Sequence, residues 1–199
     1  MDLHRIACKS AMVSTKAALR TALLAARAGR YGDADRDAAL SARLARLLIE
    51  CAPRCAAFYW PMAGEFDART VMQRWLQYAP ECSAALPVVT SAHAPLSFHR
   101  WTLTSEMKKG RFRIPVPAEE APVNPDLLLI PCLGFDAARI RLGYGGGYYD
   151  RTLAALRPRP VAVGISYECG RVEQLPHEPH DIALDVILSE CARYESGSF

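Results

Sequence analysis

Nowhere in these 199 residues does an apolar run approach the roughly 20 needed to cross a bilayer. The opening Met1-Asp2-Leu3-His4-Arg5 also lacks the apolar core and small-residue cleavage site of a secretory signal. Charge of one sign is scarce: a formal net charge of +3 is too small to imply nucleic acid or an anionic membrane as partner. There is no C-x-x-C, and the seven cysteines (Cys8, Cys51, Cys55, Cys82, Cys132, Cys169, Cys191) are odd in number and scattered, which argues against a disulfide framework. Internal repeats, linkers and low-complexity tracts are missing too. These absences leave a cytoplasmic protein, and a monomer is expected. With about half of its residues apolar the chain can bury one good core, so a single domain over residues 1–199 is expected, with a helical pair in 1–53 packing on an α/β core in 54–199.

What is present is concentrated between Asp126 and Leu156. Leu127, Leu128, Leu129 and Ile130, bounded by Asp126 and Pro131, form a run short enough for a strand buried on both faces. It feeds a loop ending in Gly143, Gly145, Gly146 and Gly147, after which Tyr148, Tyr149, Asp150, Leu153 and Leu156 open a helix. Strand, glycine loop and helix make an anion cradle, because glycine tolerates positive φ and the N–H groups at a helix start favour phosphate. The string is neither the dinucleotide fingerprint in context nor a P-loop, since no Lys follows the glycines, and a turn packed against a helix is the competing reading. Arg141 just before and Asp150 just after sharpen it: Arg clamps phosphate oxygens, and a carboxylate there suits the Mg²⁺ that travels with a nucleoside triphosphate. Cys132 beside the loop is a nucleophile only if something activates it; without a nearby His, core packing is the better reading. His177 and His180 invite a metal, but Pro179 breaks the helix that would align them.

Elsewhere the patterning is that of alternating helices and strands. Ser14 can cap a helix to Ala28 with Gly29 as stop and Leu19, Leu23 and Ala26 as its stripe, while Lys16, Arg20 and Arg27 form a basic row along its flank. That row is either a solvated edge or a cleft lining. A second helix starts at Asp33 or Asp35 and buries Leu40, Leu44, Leu47 and Leu48. Residues 55–60 read as a strand, followed by a turn with Met62 and Glu65 and a helix capped by Asp67. A loop after a strand's carboxyl end is where open α/β sheets place ligands, so Trp60, Met62 and Glu65 would face the same crevice as the glycines. Glu65 could accept from ligand N–H groups or simply favour a helix start. Residues 83–89 read as a strand demoted toward an edge by Pro87, 96–98 as a short strand, 107–117 as an extended loop, and 160–166 and 185–188 as buried strands. The fold class expected is α/β: three layers, α/β/α, around a mainly parallel central sheet.

The string PCLGFD…RLGYGGGYYDRTL resembles the signature of the 5-formyltetrahydrofolate cyclo-ligase family. Lys16-Ala17-Ala18-Leu19-Arg20 resembles the family's K-x-x-L-R, the stretch from Trp60 to Glu65 its first-strand motif, Phe112-Arg113-Ile114-Pro115 its aromatic-x-I-P, and the stretch from Pro176 to Leu188 its closing block. Together these blocks span nearly the whole chain in the family's order. Two positions depart from it: Arg139 stands where the family has Gly, and Tyr144 where it often has Arg.

The resemblance implies conversion of 5-formyltetrahydrofolate and ATP to 5,10-methenyltetrahydrofolate, ADP and phosphate. It assigns the triphosphate to Lys16, Arg20, Arg141, Leu142, Gly143, Tyr144, Gly145, Gly146, Gly147, Tyr148 and Tyr149, with Lys16, Arg20 and Arg141 as catalytic cations. It gives the pterin to Trp60, Met62, Glu65 and Phe112 with Tyr148 and Tyr149, and Mg²⁺ to Asp150 and Asp185. A regulatory binder on the same fold, or a sugar-phosphate or acyl-CoA enzyme, are the rival readings.

Overall fold

The computed structural model describes residues 15–29, 32–62 and 64–196. The first half runs α1 (Lys16–Ala28), α2 (Ala34–Cys51), β1 (Cys55–Ala57), α3 (Arg69–Tyr78), β2 (Ser83–Val88), β3 (Ser97–Trp101), β4 (Met107–Lys109) and β5 (Pro115–Pro117). The second half runs β6 (Leu127–Pro131), β7 (Gly134–Phe135), β8 (Arg141–Leu142), α4 (Tyr148–Ala155), β9 (Val161–Ile165), β10 (Val186–Leu188) and β11 (Arg193–Glu195).

Seven strands form one sheet in the order β11-β10-β9-β6-β1-β2-β3, parallel from β10 to β2 with an antiparallel strand at each edge. Its centre is the apolar run of β6, whose Leu127 and Leu129 point to one face and Leu128 and Ile130 to the other, as a period of two requires. The leucines of α2 and Val71 and Met72 of α3 cover the first face, and Leu153 of α4 with Phe135 covers the second. Three layers around a mainly parallel sheet are therefore what the alternating pattern produces.

Asp33 caps α2 by accepting from the Arg36 N–H at 3.3 Å. The expected cap of α1, Ser14, lies outside the described residues; Thr15 takes that role, accepting from the Ala18 N–H at 3.2 Å. The stripe of α1 is Leu19, Leu23 and Arg27 rather than Ala26, which is exposed. Nor do α1 and α2 form a pair on the sheet. Leu23 packs instead with Leu133, Ile140, Leu142 and Leu175 in a third cluster, over the β7–β8 hairpin, which the sequence reading did not anticipate.

Other expectations shift for identifiable reasons. Pro87 does not mark an edge: β3 pairs beyond it, and β1 reaches only as far as Ala85, so the missing N–H interrupts no ladder on that side. The proline-rich 107–117 segment is a β4–β5 hairpin, not an extended loop, because Phe112 and Arg113 both take left-handed φ (58° and 62°) and reverse the chain. The strand at 55–60 shortens to β1, and Asp67 accepts from the Arg69 N–H at 3.0 Å from one residue before the cap, which is Ala68.

Strand starts at the amino edge of the sheet are tied by carboxylates. Asp126 accepts from the Arg54 and Cys55 N–H groups at 2.9 and 3.0 Å, and Asp185 accepts from the Ala162 N–H at 2.8 Å. At the opposite edge the connections part: β1 leads outward to β2, β6 leads the other way to β9 and β10. The segments after β1 and β6 therefore splay from a topological switch point, the place where an open α/β sheet leaves a crevice.

Candidate functional site

Both segments bring their chemistry to that crevice. The one after β6 returns through β8 into the glycine loop, where Gly145 and Gly147 take φ of 93° and 63°, conformations closed to most side chains. Gly147 is the N-cap of α4, whose first N–H groups have no partner within the helix. Cations of α1 lean on this loop. The Arg20 Nε donates to the Gly143 carbonyl at 2.8 Å, and its guanidinium lies 3.2 Å from where a Cβ on Gly145 would sit.

Arg141 and Asp150 form a nearly enclosed pair at 2.8 Å, with Arg141 also donating to the Ile182 carbonyl and Asp150 accepting from the Ile182 N–H. Lys16 meets Asp181 at 2.6 Å, with Glu178 at 3.6 Å. Burial opposes ionisation of Asp181, but the Lys16 ammonium and the Glu178 N–H outweigh it and hold its carboxyl below the usual range. Asp181 escaped the sequence reading, which took Asp185 from the same block. Asp185 is a correction: it spans Arg159 at 2.9 Å and the start of β9, at the amino edge of the sheet and away from the glycine loop. Arg151 was missed as well; it donates to the Gly146 carbonyl at 2.7 Å and stacks on Tyr148.

Across the crevice, Glu65 is held by its own turn: its Oε2 accepts from the Met62 N–H at 2.8 Å, and its N–H donates to the Met62 carbonyl at 3.0 Å. Only 3% of its side chain is exposed, and burial pushes its carboxyl pKa up, partly offset by the Met62 N–H, Arg27 and Tyr144. A narrow cavity beside it is lined by Arg27, Tyr59, Cys132, Ser166 and Tyr167 among others. Tyr144 turns away from the loop's glycines; its hydroxyl donates to Glu65 Oε1 at 3.1 Å. Arg139 keeps the backbone a glycine would have, with φ of 61°, and its Nε donates to the Leu184 carbonyl at 2.9 Å instead of extending toward the loop's glycines.

The remaining expected residues fall around this centre. Trp60 is half-buried under the Arg69 guanidinium, 4.5 Å from the ring centroid, and Met62 is partly exposed. Phe112, at the tip of the β4–β5 hairpin, meets Tyr148 edge-on at 6.2 Å and is brought to the start of α4 rather than to Glu65. Tyr149, in the first turn of α4, packs on the second core cluster, where burial raises its hydroxyl pKa. Cys132 is buried and its thiol is pushed up to about 12 by that burial, which suits packing and not attack. His180 is exposed beside Glu178, and no cluster of three or more metal-ligating side chains occurs among the described residues.

An α/β enzyme with a glycine loop at the switch point of a mostly parallel sheet is the class that this fold and geometry define. A model of the 5-formyltetrahydrofolate cyclo-ligase family matches residues 12–190. The chain is 34% identical over 139 residues to the 5-formyltetrahydrofolate cyclo-ligase of Haemophilus influenzae, covering 66% of this chain and 73% of that one. It is 31% identical over 189 residues to the enzyme of the same name from Mycolicibacterium smegmatis, covering 88% and 93%. The structure is similar to the 5,10-methenyltetrahydrofolate synthetase of Aquifex aeolicus, with a TM-score of 0.78 and 28% identity over 92% of this chain and 94% of that one. A synthetase from Mycoplasma pneumoniae shares the fold at a TM-score of 0.70 and 24% identity, over 88% and 98%. The chain belongs to the 5-formyltetrahydrofolate cyclo-ligase family.

Proposed function

We propose that this enzyme converts 5-formyltetrahydrofolate to 5,10-methenyltetrahydrofolate with ATP as co-substrate and Mg²⁺ as its companion ion. The observation that carries the reading is that one loop belongs to two half-sites. Its glycines and the start of α4 meet Arg20 and the Arg141–Asp150 pair, while its Tyr144 reaches Glu65 across the crevice. A triphosphate and a pterin held on the two sides would meet at the loop.

The chemical obstacle is that the formyl carbon on N5 is an amide carbon whose oxygen leaves poorly. The formyl oxygen attacks the γ-phosphoryl group and ADP departs; N10 then closes on the activated carbon and gives up its proton, and phosphate leaves carrying the former formyl oxygen. Such a transfer needs alignment and charge neutralisation more than covalent help. Backbone N–H groups from Gly145 to Tyr148 would receive the phosphates, with Lys16, Arg20 and Arg141 as clamps. Glu65 accepts from pterin N–H groups, with Trp60, Met62 and Phe112 as walls and Tyr149 closing the site. A hard cation that keeps several waters and phosphate oxygens needs only one or two protein carboxylates, and Asp150 beside the glycine loop fits that need whereas Asp185, at the amino edge of the sheet, does not. Mg²⁺ would neutralise phosphate charge there. We read the working form as a cytoplasmic monomer acting on small molecules, in keeping with the absence, among the described residues, of a helix long and apolar enough to cross a membrane.

The test is the absorbance of methenyltetrahydrofolate with purified protein, 5-formyltetrahydrofolate and Mg-ATP, beside Asp150→Ala. ATP-dependent product from the wild type and close to none from the variant is expected. Equal traces would remove Asp150 from the metal role, and no product from either would favour a non-catalytic binder.

A further inference from the structure

The sequence leaves Arg27 without a role, yet the fold places it at the meeting point of three elements. Arg20 and Arg27 lie about two turns apart on one face of α1, so the helix that brings Lys16 and Arg20 to the glycine loop carries Arg27 to the other half of the crevice. Its side chain is 9% exposed. One nitrogen donates to the Tyr144 hydroxyl at 2.6 Å, which in turn donates to Glu65 Oε1 at 3.1 Å, while the other stands 3.9 Å from that same oxygen. The turn after β1 is shaped around it: Gly64 has φ of 78°, and a Cβ there would lie 3.2 Å from the Arg27 Nε. A desolvated guanidinium is costly to keep in a fold unless its contacts repay the burial, and its contacts with Tyr144 and Glu65 point at one pocket.

We propose that Arg27 is a positioning residue for the folate-binding half of the site, holding the Tyr144 hydroxyl against Glu65 so that the loop and the pocket carboxylate are set as one unit for the pterin. The inference rests on the folate reading above. It makes Tyr144 a bridge between half-sites, oriented by the Arg27 guanidinium. Its electrostatic consequence falls on Glu65. The groups facing that carboxylate are Arg27 from α1, Tyr144 from the glycine loop, Tyr59 after β1, Cys132 after β6 and Tyr149 of α4. Arg27 is the cation in that set, and burial works against the ionised form that an acceptor of pterin N–H groups needs.

Steady-state kinetics across pH on the wild type, Arg27→Met, Arg27→Lys and Tyr144→Phe test this, with thermal midpoints to confirm folding. Arg27→Met should raise the KM for 5-formyltetrahydrofolate about tenfold, the scale of a buried charged hydrogen bond, and leave the KM for ATP within about twofold. Its acid limb of kcat/KM for the folate should move to higher pH, because Glu65 then protonates more readily. Arg27→Lys should return the limb toward its wild-type position while keeping part of the KM increase, and Tyr144→Phe should raise the folate KM alone. If Arg27→Met fails to fold, the Lys and Phe variants decide in the same way. Both KM values rising together, or an acid limb that stays in place, would overturn the role while leaving the folate reading intact. A wild type that makes no methenyl product would overturn the folate reading, and the role of Arg27 with it.

Discussion

Asp126 and Asp185 show how a carboxylate close to an active site in sequence can belong to the scaffold instead. Each accepts backbone N–H groups at the start of a parallel strand, where the sheet leaves donors without partners. Asp185→Ala should therefore cost about 1 kcal/mol in urea unfolding, the net worth of such a bond, with kcat/KM unchanged. Asp181→Ala should fold normally and lose most activity. The reverse pattern would restore Asp185 to the site. The closing block of the sequence holds both aspartates and the sequence reading took Asp185; the contact of Lys16 with Asp181 is what separates them. Glu65 yields a prediction of a different kind. Its folded pKa lies above its unfolded one, so between those values the folded protein holds the extra proton and stability falls as pH rises. Glu65→Gln cannot titrate, so its thermal midpoint relative to the wild type should climb as pH rises above the ordinary carboxyl value of about 4. A constant difference would show that the carboxyl is not desolvated.

The glycine loop was legible as an element because its requirements are local: positive φ, a helix start and flanking charge are all written within a dozen residues. The helices of the first half were legible for the same reason, through Asp33 and the leucine spacing of α2. The β4–β5 hairpin was not, since its reversal depends on left-handed φ at Phe112 and Arg113, which residue type does not announce. Strand β1 was overextended because Phe58 and Tyr59 continue its apolar run and are buried in the first core cluster, although the paired register ends at Ala57. The loop's dependence on backbone shape gives its own test. Gly147→Ala must place a Cβ at φ of 63° and 2.7 Å from the Arg151 guanidinium, so it should lose about 1 kcal/mol of stability and weaken ATP more than the folate in binding titrations. Equal weakening of both ligands would mean that the loop acts as one rigid wall.

As a whole molecule, the chain buries apolar residues on both faces of one sheet and in a third cluster under α1; β6 itself supplies both faces, and Leu133 just after it joins the third. We accordingly propose a single cooperative domain, which calorimetry should register as one transition with equal calorimetric and van't Hoff enthalpies; two resolved transitions would separate the α1 cluster from the sheet. Three-layer architecture was visible in the alternation of strand and helix patterns. The place of α1 was not, because an amphipathic helix does not say which apolar surface it will cover, and that placement is what turns its basic row into a site. The ion pair of Lys16 with Asp181 links positions far apart along the chain. During translation the first partner must wait, exposed at the ribosome, until the second emerges, so fragments released at the end of β9 should leave Lys16 unpaired and bind the nucleotide less well than the folate.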